Sequence, residues 1–281
     1  MLDTVSRFMS LRRPARSMTE DISANVEEVR SAGFCFAPAE QICDLLTPAA
    51  LAEWPSFAAS WDNLGVDTYM ADGGRYRRRR FATFAVSADG IVRKAHQPHY
   101  QSRDYNPLNG GIERWFGPVT EAVAAHPVTV GLIDAGRKVF DALTPAPDRP
   151  QAWHVELHQF RIEAHAGQIG LPTPEGLHRD GVDWVLVVLV NRTNVESGVT
   201  SIYDLDHSHL GDFMLTDPLD SVFLQDNRVF HGVTAIRALK PNQAASRDVA
   251  VITFRAEPLR LPSPVRGAPM HPPSKCSNAD D

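Results

Sequence analysis

The residues with the most chemical capacity fall in three short stretches. "GLHRDGVDW" carries His178 and Asp180, "VFHGVTAI" carries His231, and "RDVAVITF" opens on Arg247. A neutral imidazole offers a lone pair to a metal, a carboxylate offers an oxygen, and a guanidinium forks onto a carboxylate. His-x-acid by itself says little: with 11 histidines and 34 acidic residues in the chain, about one such pair arises by chance. Two occur, His178-Arg179-Asp180 and His154-Val155-Glu156, so context has to decide between them.

Context favours the first pair. It precedes the apolar run "DWVLVVLVN", which reads as a buried strand, and in extended chain residues i and i+2 point to the same side. His178 and Asp180 can therefore present nitrogen and oxygen to one ion. His231 lies on a later strand and precedes Gly232, which allows close backbone approach. Two histidines and a carboxylate on one face of a metal form the facial triad of non-heme Fe(II) oxygenases, with positions left for a chelating cosubstrate and dioxygen. A zinc site or a satisfied polar network would use the same residue types. If "VFHGVTAI" and "RDVAVITF" form a hairpin closed by "RALKPNQAAS", Ile236 pairs with Arg247 and His231 lies opposite Ile252. Arg247 is then about 15 Å from the metal at strand rise, a distance that a five-carbon dicarboxylate plus an arginine side chain spans. The second pair, His154 and Glu156, has His207 or His209 as a possible third ligand, but "YDLDHSHLGD" reads as a polar loop and no arginine follows it at a matching distance. A deaminase-type zinc centre needs Pro-Cys-x-x-Cys, and that motif, His-Glu-x-x-His and Gly-x-Ser-x-Gly are all missing. His158 and Arg161 in "HQFRI" and Tyr203 in "SIYDL" are candidate substrate contacts, each also compatible with a structural hydrogen bond. Trp184 reads as core, and Asn109-Gly110-Gly111 as a turn or a loop lid.

The elements that must position these residues change character along the chain. "APAEQICDLL", with Pro38 at the first helical position, and "TPAALAEWPSF", with Thr47 as cap, read as helices. "RRRRFATFAVSADGIVRKA" reads as a hairpin turning at Asp89-Gly90, and "QPHYQSRDYNPLNGGIERWFGP" as loop. The spacing of Val128, Leu132, Ile133, Gly136, Val139, Phe140 and Leu143 predicts a helix over "PVTVGLIDAGRKVFDAL". Past Pro150 the text becomes a run of short strands: "AWHVELHQFRIEA", "DWVLVVLVN", "GVTSIYDL", "DFMLT", "SVFLQ", "VFHGVTAI" and "RDVAVITFRAE", with "DNR" as a hairpin signal. Such a series after a helical layer predicts an α+β fold, a double-stranded β-helix or jelly roll with N-terminal helices packed outside. The division that follows is an N-terminal extension over 1–21, a single domain over 22–257 with its jelly-roll core at about 151–257, and a proline-rich tail over 258–281 that reads as disordered.

Composition narrows the partners. The chain has 281 residues, 43% hydrophobic and 22% charged, with a formal net charge of −6. That is globular and long enough for one large core, and the acidic balance argues against a sequence-independent nucleic-acid binder. One local exception, "RYRRRRF", reads as a strand with solvated arginines in preference to an anion site. Three cysteines without a CxxC pair point to a reducing compartment, read as the cytoplasm. No apolar run is long enough to span a bilayer, and the arginine-rich N-terminus lacks the apolar stretch of a secretory signal.

The stretches "NPLNGGIERWF", "HQFRI", "PEGLHRDGVDWVLVVLVNR", "SIYDL", "RVFHGV" and "RDVAVITFR" together resemble the 2-oxoglutarate/Fe(II)-dependent dioxygenase family that includes bacterial free L-isoleucine 4-hydroxylases, over roughly residues 30 to 256. The resemblance implies a double-stranded β-helix, Fe(II) on His178, Asp180 and His231, Arg247 on the distal carboxylate of 2-oxoglutarate, and O2 as the second cosubstrate. It implies a small substrate, a free amino acid foremost, hydroxylated at a C–H bond as 2-oxoglutarate is oxidatively decarboxylated. A cyclic imino acid or a biosynthetic intermediate is the alternative substrate, and a non-catalytic β-helix binding protein the alternative class. Asp180 points to hydroxylation, since halogenases of this type lack the carboxylate. The chain departs from the pattern at Ser197-Gly198-Val199, where relatives carry a Gly-Gly-Glu-like run; that loop is a candidate wall of the substrate pocket.

Overall fold

The helical layer forms where apolar residues recur at helical spacing. The computed structural model describes residues 18–257, so the proline-rich stretch from 258 and residues 1–17 lie outside the described residues. Helices α1 (Met18–Ala32), α2 (Ala39–Leu45), α3 (Pro48–Ala52), α4 (Trp54–Ala59), α5 (Glu121–Ala124) and α6 (Pro127–Leu143) make up the layer. α1 starts inside the expected N-terminal extension. Thr47 caps α3 by accepting the Ala50 N–H at 3.2 Å, while Pro38 serves as the cap of α2 and not as its first turn residue. α6 buries the predicted face, with Leu143 partly buried at its end. A side chain on Gly136 would meet the Phe254 ring at 2.9 Å, so glycine sets how closely α6 lies on the sheet.

The strands in chain order are β1 (Phe34–Ala37), β2 (Gly65–Val66), β3 (Arg77–Ser87), β4 (Gly90–Arg93), β5 (His99–Tyr100), β6 (Glu113–Arg114), β7 (Trp153–Ala164), β8 (Trp184–Thr193), β9 (Val195–Ser197), β10 (Thr200–Asp204), β11 (His209–Phe213), β12 (Ser221–Gln225), β13 (Val229–Val233), β14 (Ile236–Ala238) and β15 (Ala245–Ala256). The large antiparallel sheet runs β1-β12-β8-β15-β7-β3-β2, with β4 on β3 through the expected Asp89-Gly90 hairpin. The small sheets are β11-β10-β13, β14-β9 and β5-β6. This is the jelly-roll arrangement, with the helices on the outer face of the large sheet.

Strand periodicity sorts the side chains between two environments. On β7, Trp153, Val155 and Leu157 join the core under the helices, while Glu156, His158, Phe160 and Ile162 line a cavity between the sheets. On β15, Ala250, Ile252 and Phe254 take the helical side and Arg247, Val249, Val251 and Thr253 the cavity side. "DWVLVVLVN" is apolar throughout because both faces of β8 are covered.

Three expectations fail here, for related reasons. β13 pairs with β10 and β15 lies between β7 and β8, so "VFHGVTAI" and "RDVAVITF" are not a hairpin; Ile236 pairs with Ser197, and Arg247 with Ile162 and Arg192. "DNR" carries the chain from β12 in the large sheet to β13 in the small one. In a double-sheet roll consecutive strands change sheets, and turn chemistry does not say which sheet comes next. "RYRRRRF" is a strand, but alternation turns Arg77 and Arg79 inward, 5% and 4% exposed, and leaves Arg78 to pair with Glu163 at 2.8 Å.

Candidate metal centre

His178 and His231 are direct cross-strand neighbours. Each donates its backbone N–H to the other's carbonyl at 3.0 Å, an isolated antiparallel bridge that brings the ring centroids to 4.4 Å. His178 Nδ1–H donates to the Gly176 carbonyl at 3.1 Å, which leaves the Nε2 lone pair available to a metal. Nε2 of His178 is 3.8 Å from Asp180 Oδ1, and Nε2 of His231 is 3.7 Å from Asp180 Oδ2. One ligand atom from each of the three residues lies within 4.8 Å of the others. Burial, and then the facing His178, push His231 down to about 4 against the pull of Asp180, so the ring stays neutral, the form a metal binds. Nitrogen and oxygen donors that face one another at distances too long for a hydrogen bond fit a shared cation, and a two-His, one-carboxylate set with an open side fits Fe(II).

The loop that carries Asp180 is held by a residue the sequence reading passed over. Asp226, 1% exposed, accepts the backbone N–H groups of Asp180 and Gly181 at 2.8 Å and of Val182 at 3.1 Å. Burial, and then the charge of Asp180, push Asp226 up to about 6. The available signal was an acid directly after the apolar strand "SVFLQ", the first residue of "DNR".

His178, Asp180, His231 and Arg247 line one cavity. Arg247 is 3% exposed, and its Nε has no hydrogen-bond partner. Burial, and then the neighbouring Arg192 guanidinium, push Arg247 down to about 10, opposed by Asp248; it remains charged at neutral pH, with no ion pair within 4.0 Å among the described residues. The departing loop sits behind these arginines and not on the cavity wall: a Cβ on Gly198 would lie 3.2 Å from Arg192 Nη1 and 3.7 Å from Arg247 Cδ.

The β3 side of the cavity is strongly polar. Arg77, Arg79 and Arg114 project into it, and fully buried Asp67 accepts from Arg77 Nε at 2.8 Å and lies 3.8 Å from Arg79. Arg79 is sandwiched between the Phe116 and Phe160 rings, 3.5 and 4.4 Å from their centroids. Of the candidate substrate contacts, His158 lines the cavity, but both ring nitrogens are engaged. Nδ1 accepts from Arg79 and Nε2–H faces Glu156 at 3.2 Å. Arg161 is on the helical side of β7, held by Asp248 at 2.7 Å and Asp62 at 2.9 Å, because it is out of phase with His158. Tyr203 packs edge-on against His209 and does not line the cavity. Glu156 gathers His99 at 2.9 Å and His154 at 3.4 Å, not His207 or His209. His99, Glu156 and His158 are close enough to hold an ion, yet the proton on His158 Nε2 removes that nitrogen as a ligand. The group is a hydrogen-bonded network.

The 2OG-Fe dioxygenase family profile matches residues 58–253. The chain is 26% identical over 243 residues to an L-isoleucine-4-hydroxylase of Bacillus thuringiensis, covering 83% of this chain and 95% of that protein. It is 24% identical over 225 residues to a 3(1)-hydroxy-L-isoleucine 4-dioxygenase of Pantoea ananatis, covering 76% and 86%. The crystal structure of a bsmA homolog from Methylobium petroleophilum superposes with a TM-score of 0.75 at 32% identity, covering 84% of this chain and 93% of that one. The chain belongs to the 2OG-Fe dioxygenase family, whose members use Fe(II), 2-oxoglutarate and O2.

Proposed function

We propose that the protein hydroxylates a free amino acid, with Fe(II) held by His178, Asp180 and His231 and the distal carboxylate of 2-oxoglutarate on Arg247. The observation that carries this reading is the pairing, in one cavity, of a bridge-locked His-Asp-His face with a buried guanidinium that has no ion pair among the described residues. Bound Fe(II) would supply activation of O2 coupled to oxidative decarboxylation of 2-oxoglutarate. The chain's own residues set the rest. Gly176 fixes the tautomer of His178, Asp226 fixes the Asp180 loop, and Val182, Val187, Val249 and Val251 give the cavity an apolar wall. The amino-acid class is supported by the two relatives above, whose names carry isoleucine substrates. Residues 22–257 act as one catalytic unit in this reading. The free thiols Cys35 and Cys43 fit a reducing compartment such as the cytoplasm, and no described helix is long and apolar enough to cross a membrane.

The test is succinate release from 2-oxoglutarate with Fe(II) and ascorbate, across a panel of amino acids that includes cyclic imino acids. Stimulation by an aliphatic amino acid, abolished in Asp180→Ala, is the expected result. Stimulation by an imino acid alone would replace the substrate class. Absence of succinate under every condition would point to a non-catalytic binding protein and overturn the reading.

A further inference from the structure

Two sets of charges in the cavity are left without partners. Arg114 is 2% exposed, and its hydrogen bond goes to the neutral Gln101 Oε1 at 3.3 Å. Its Nε and that of Arg79 have no partner. Arg77 takes the short contact of fully buried Asp67, Arg79 lies 3.8 Å from it, and Arg114 is reached by Asp67, Glu175 and Glu156 only through their charge. Arg79 and Arg114 therefore keep buried N–H donors with no acceptor among the described residues, an arrangement costly to leave unmatched.

Glu175 has the opposite deficit. Its side chain is 8% exposed, its Oε1 lies 3.7 Å from His178 Nε2, and its Oε2 is buried with no partner. No ion pair within 4.0 Å joins it to an arginine among the described residues, though it is close enough to Arg114 to favour the charged guanidinium. It is not in the group whose ligand atoms converge on the His-Asp-His centre. A carboxylate in this position wants a cation with several N–H donors.

We propose that Arg79, Arg114 and Glu175 form the subsite for the zwitterionic head of an α-amino acid, with the arginines on its carboxylate and Glu175 on its ammonium beside the metal centre. The inference rests on the amino-acid reading above and assigns that substrate's binding residues. Glu156, His158 and the two phenylalanine rings are positioning residues for Arg79: with Nδ1 of His158 accepting from the guanidinium, the fork is held in one plane and turned into the cavity. Anchoring both charges of the head leaves the substrate's side chain as the part free to turn toward the metal face. A single cation or anion site would answer one deficit; a zwitterion answers both and adds no net charge to a buried cavity.

The experiment is calorimetric binding to anaerobic enzyme loaded with Fe(II) and 2-oxoglutarate, so that no turnover intervenes. The probes are the amino acid most effective in the panel, or the tightest binder if none stimulates, together with its des-amino acid and its amino alcohol. Wild-type enzyme should prefer the amino acid to each analogue by at least tenfold in Kd. Glu175→Gln should lose that preference over the des-amino acid, and Arg114→Gln the preference over the amino alcohol, with circular dichroism to verify folding. Wild-type ratios near one, or variants that keep the wild-type ratios, would overturn the subsite while leaving the hydroxylase reading in place. Amino acids that neither bind nor stimulate the wild-type enzyme would overturn both. The wild-type ratios require no variant, so a poorly folded substitution leaves the proposal open to refutation.

Discussion

At the scale of single residues, the cavity holds buried polar groups that find no counterpart among the described residues. Arg247 shows this most simply. Its guanidinium is buried beside Arg192, and its Nε has no hydrogen-bond partner among the described residues. A bidentate charge-assisted contact is worth about 1.5–3 kcal/mol, so Arg247→Gln should raise the KM for 2-oxoglutarate by roughly ten- to a hundredfold, measured by succinate formation. A rise of less than threefold would show that Arg192 or another group holds the cosubstrate. That His178, Asp180 and His231 could meet, and that Arg247 could share their cavity, was legible from motif order and family resemblance. Arg161 was misread because strand parity, counted from His158, turns it away. The inward arginines on β3 were missed since a run of four like residues looks equally solvated on both faces until the sheet is known to be covered on both.

At the scale of elements, the turn after β12 does more than connect. Asp226 accepts three consecutive backbone N–H groups from the loop that carries Asp180. Removing its side chain leaves those donors buried and unpaired, at about 1–3 kcal/mol each. Asp226→Ala should weaken Fe(II) affinity at least tenfold, read by calorimetric titration of the metal-free protein; unchanged affinity would confine Asp226 to folding. The contact of α6 with β15 offers a second test. Gly136→Ala gains up to about 1 kcal/mol of helix propensity but places a methyl 2.9 Å from the Phe254 ring. That ring is fully buried against Phe140 and Trp153 and has nowhere to move. Overpacking costs about 1–3 kcal/mol, so the variant should melt lower than wild type, and a higher melting temperature would show that the layers relax. The strands themselves were visible in hydrophobic alternation and turn residues. Their partners were not, because pairing in a roll is set by long-range closure. The hairpin drawn between β13 and β15 placed Arg247 in the right cavity by way of the wrong sheet.

At the scale of the whole molecule, several buried histidines are held neutral, which makes stability a function of pH. His158 is pushed down to about 3 and His231 to about 4, in both cases by burial first. Unfolded, each takes up a proton near pH 6.5, so their contribution is complete above that pH and is lost as pH falls toward the folded values. Each costs about 1.4 kcal/mol per pH unit within that window. Asp226, pushed up to about 6 by burial and by Asp180, acts in the other direction and recovers part of the loss below pH 6. Metal-free protein should lose about 2–3 kcal/mol between pH 7.5 and pH 5 in urea unfolding, and His158→Gln should flatten the slope. A flat wild-type profile would mean that these rings titrate normally. The overall class was readable from composition, motif order and family resemblance together. The charge pattern inside the cavity was not, since net charge averages over the chain what the fold collects in one place.

The two peptide hydrogen bonds that set His178 opposite His231 also fasten the segment before β8 to the small sheet. An ion held by both rings would then reinforce this seam, as a rivet through a hinge. Stripping it with a chelator should quicken deuterium uptake at the amides of His178 and His231 before the rest of the roll loosens.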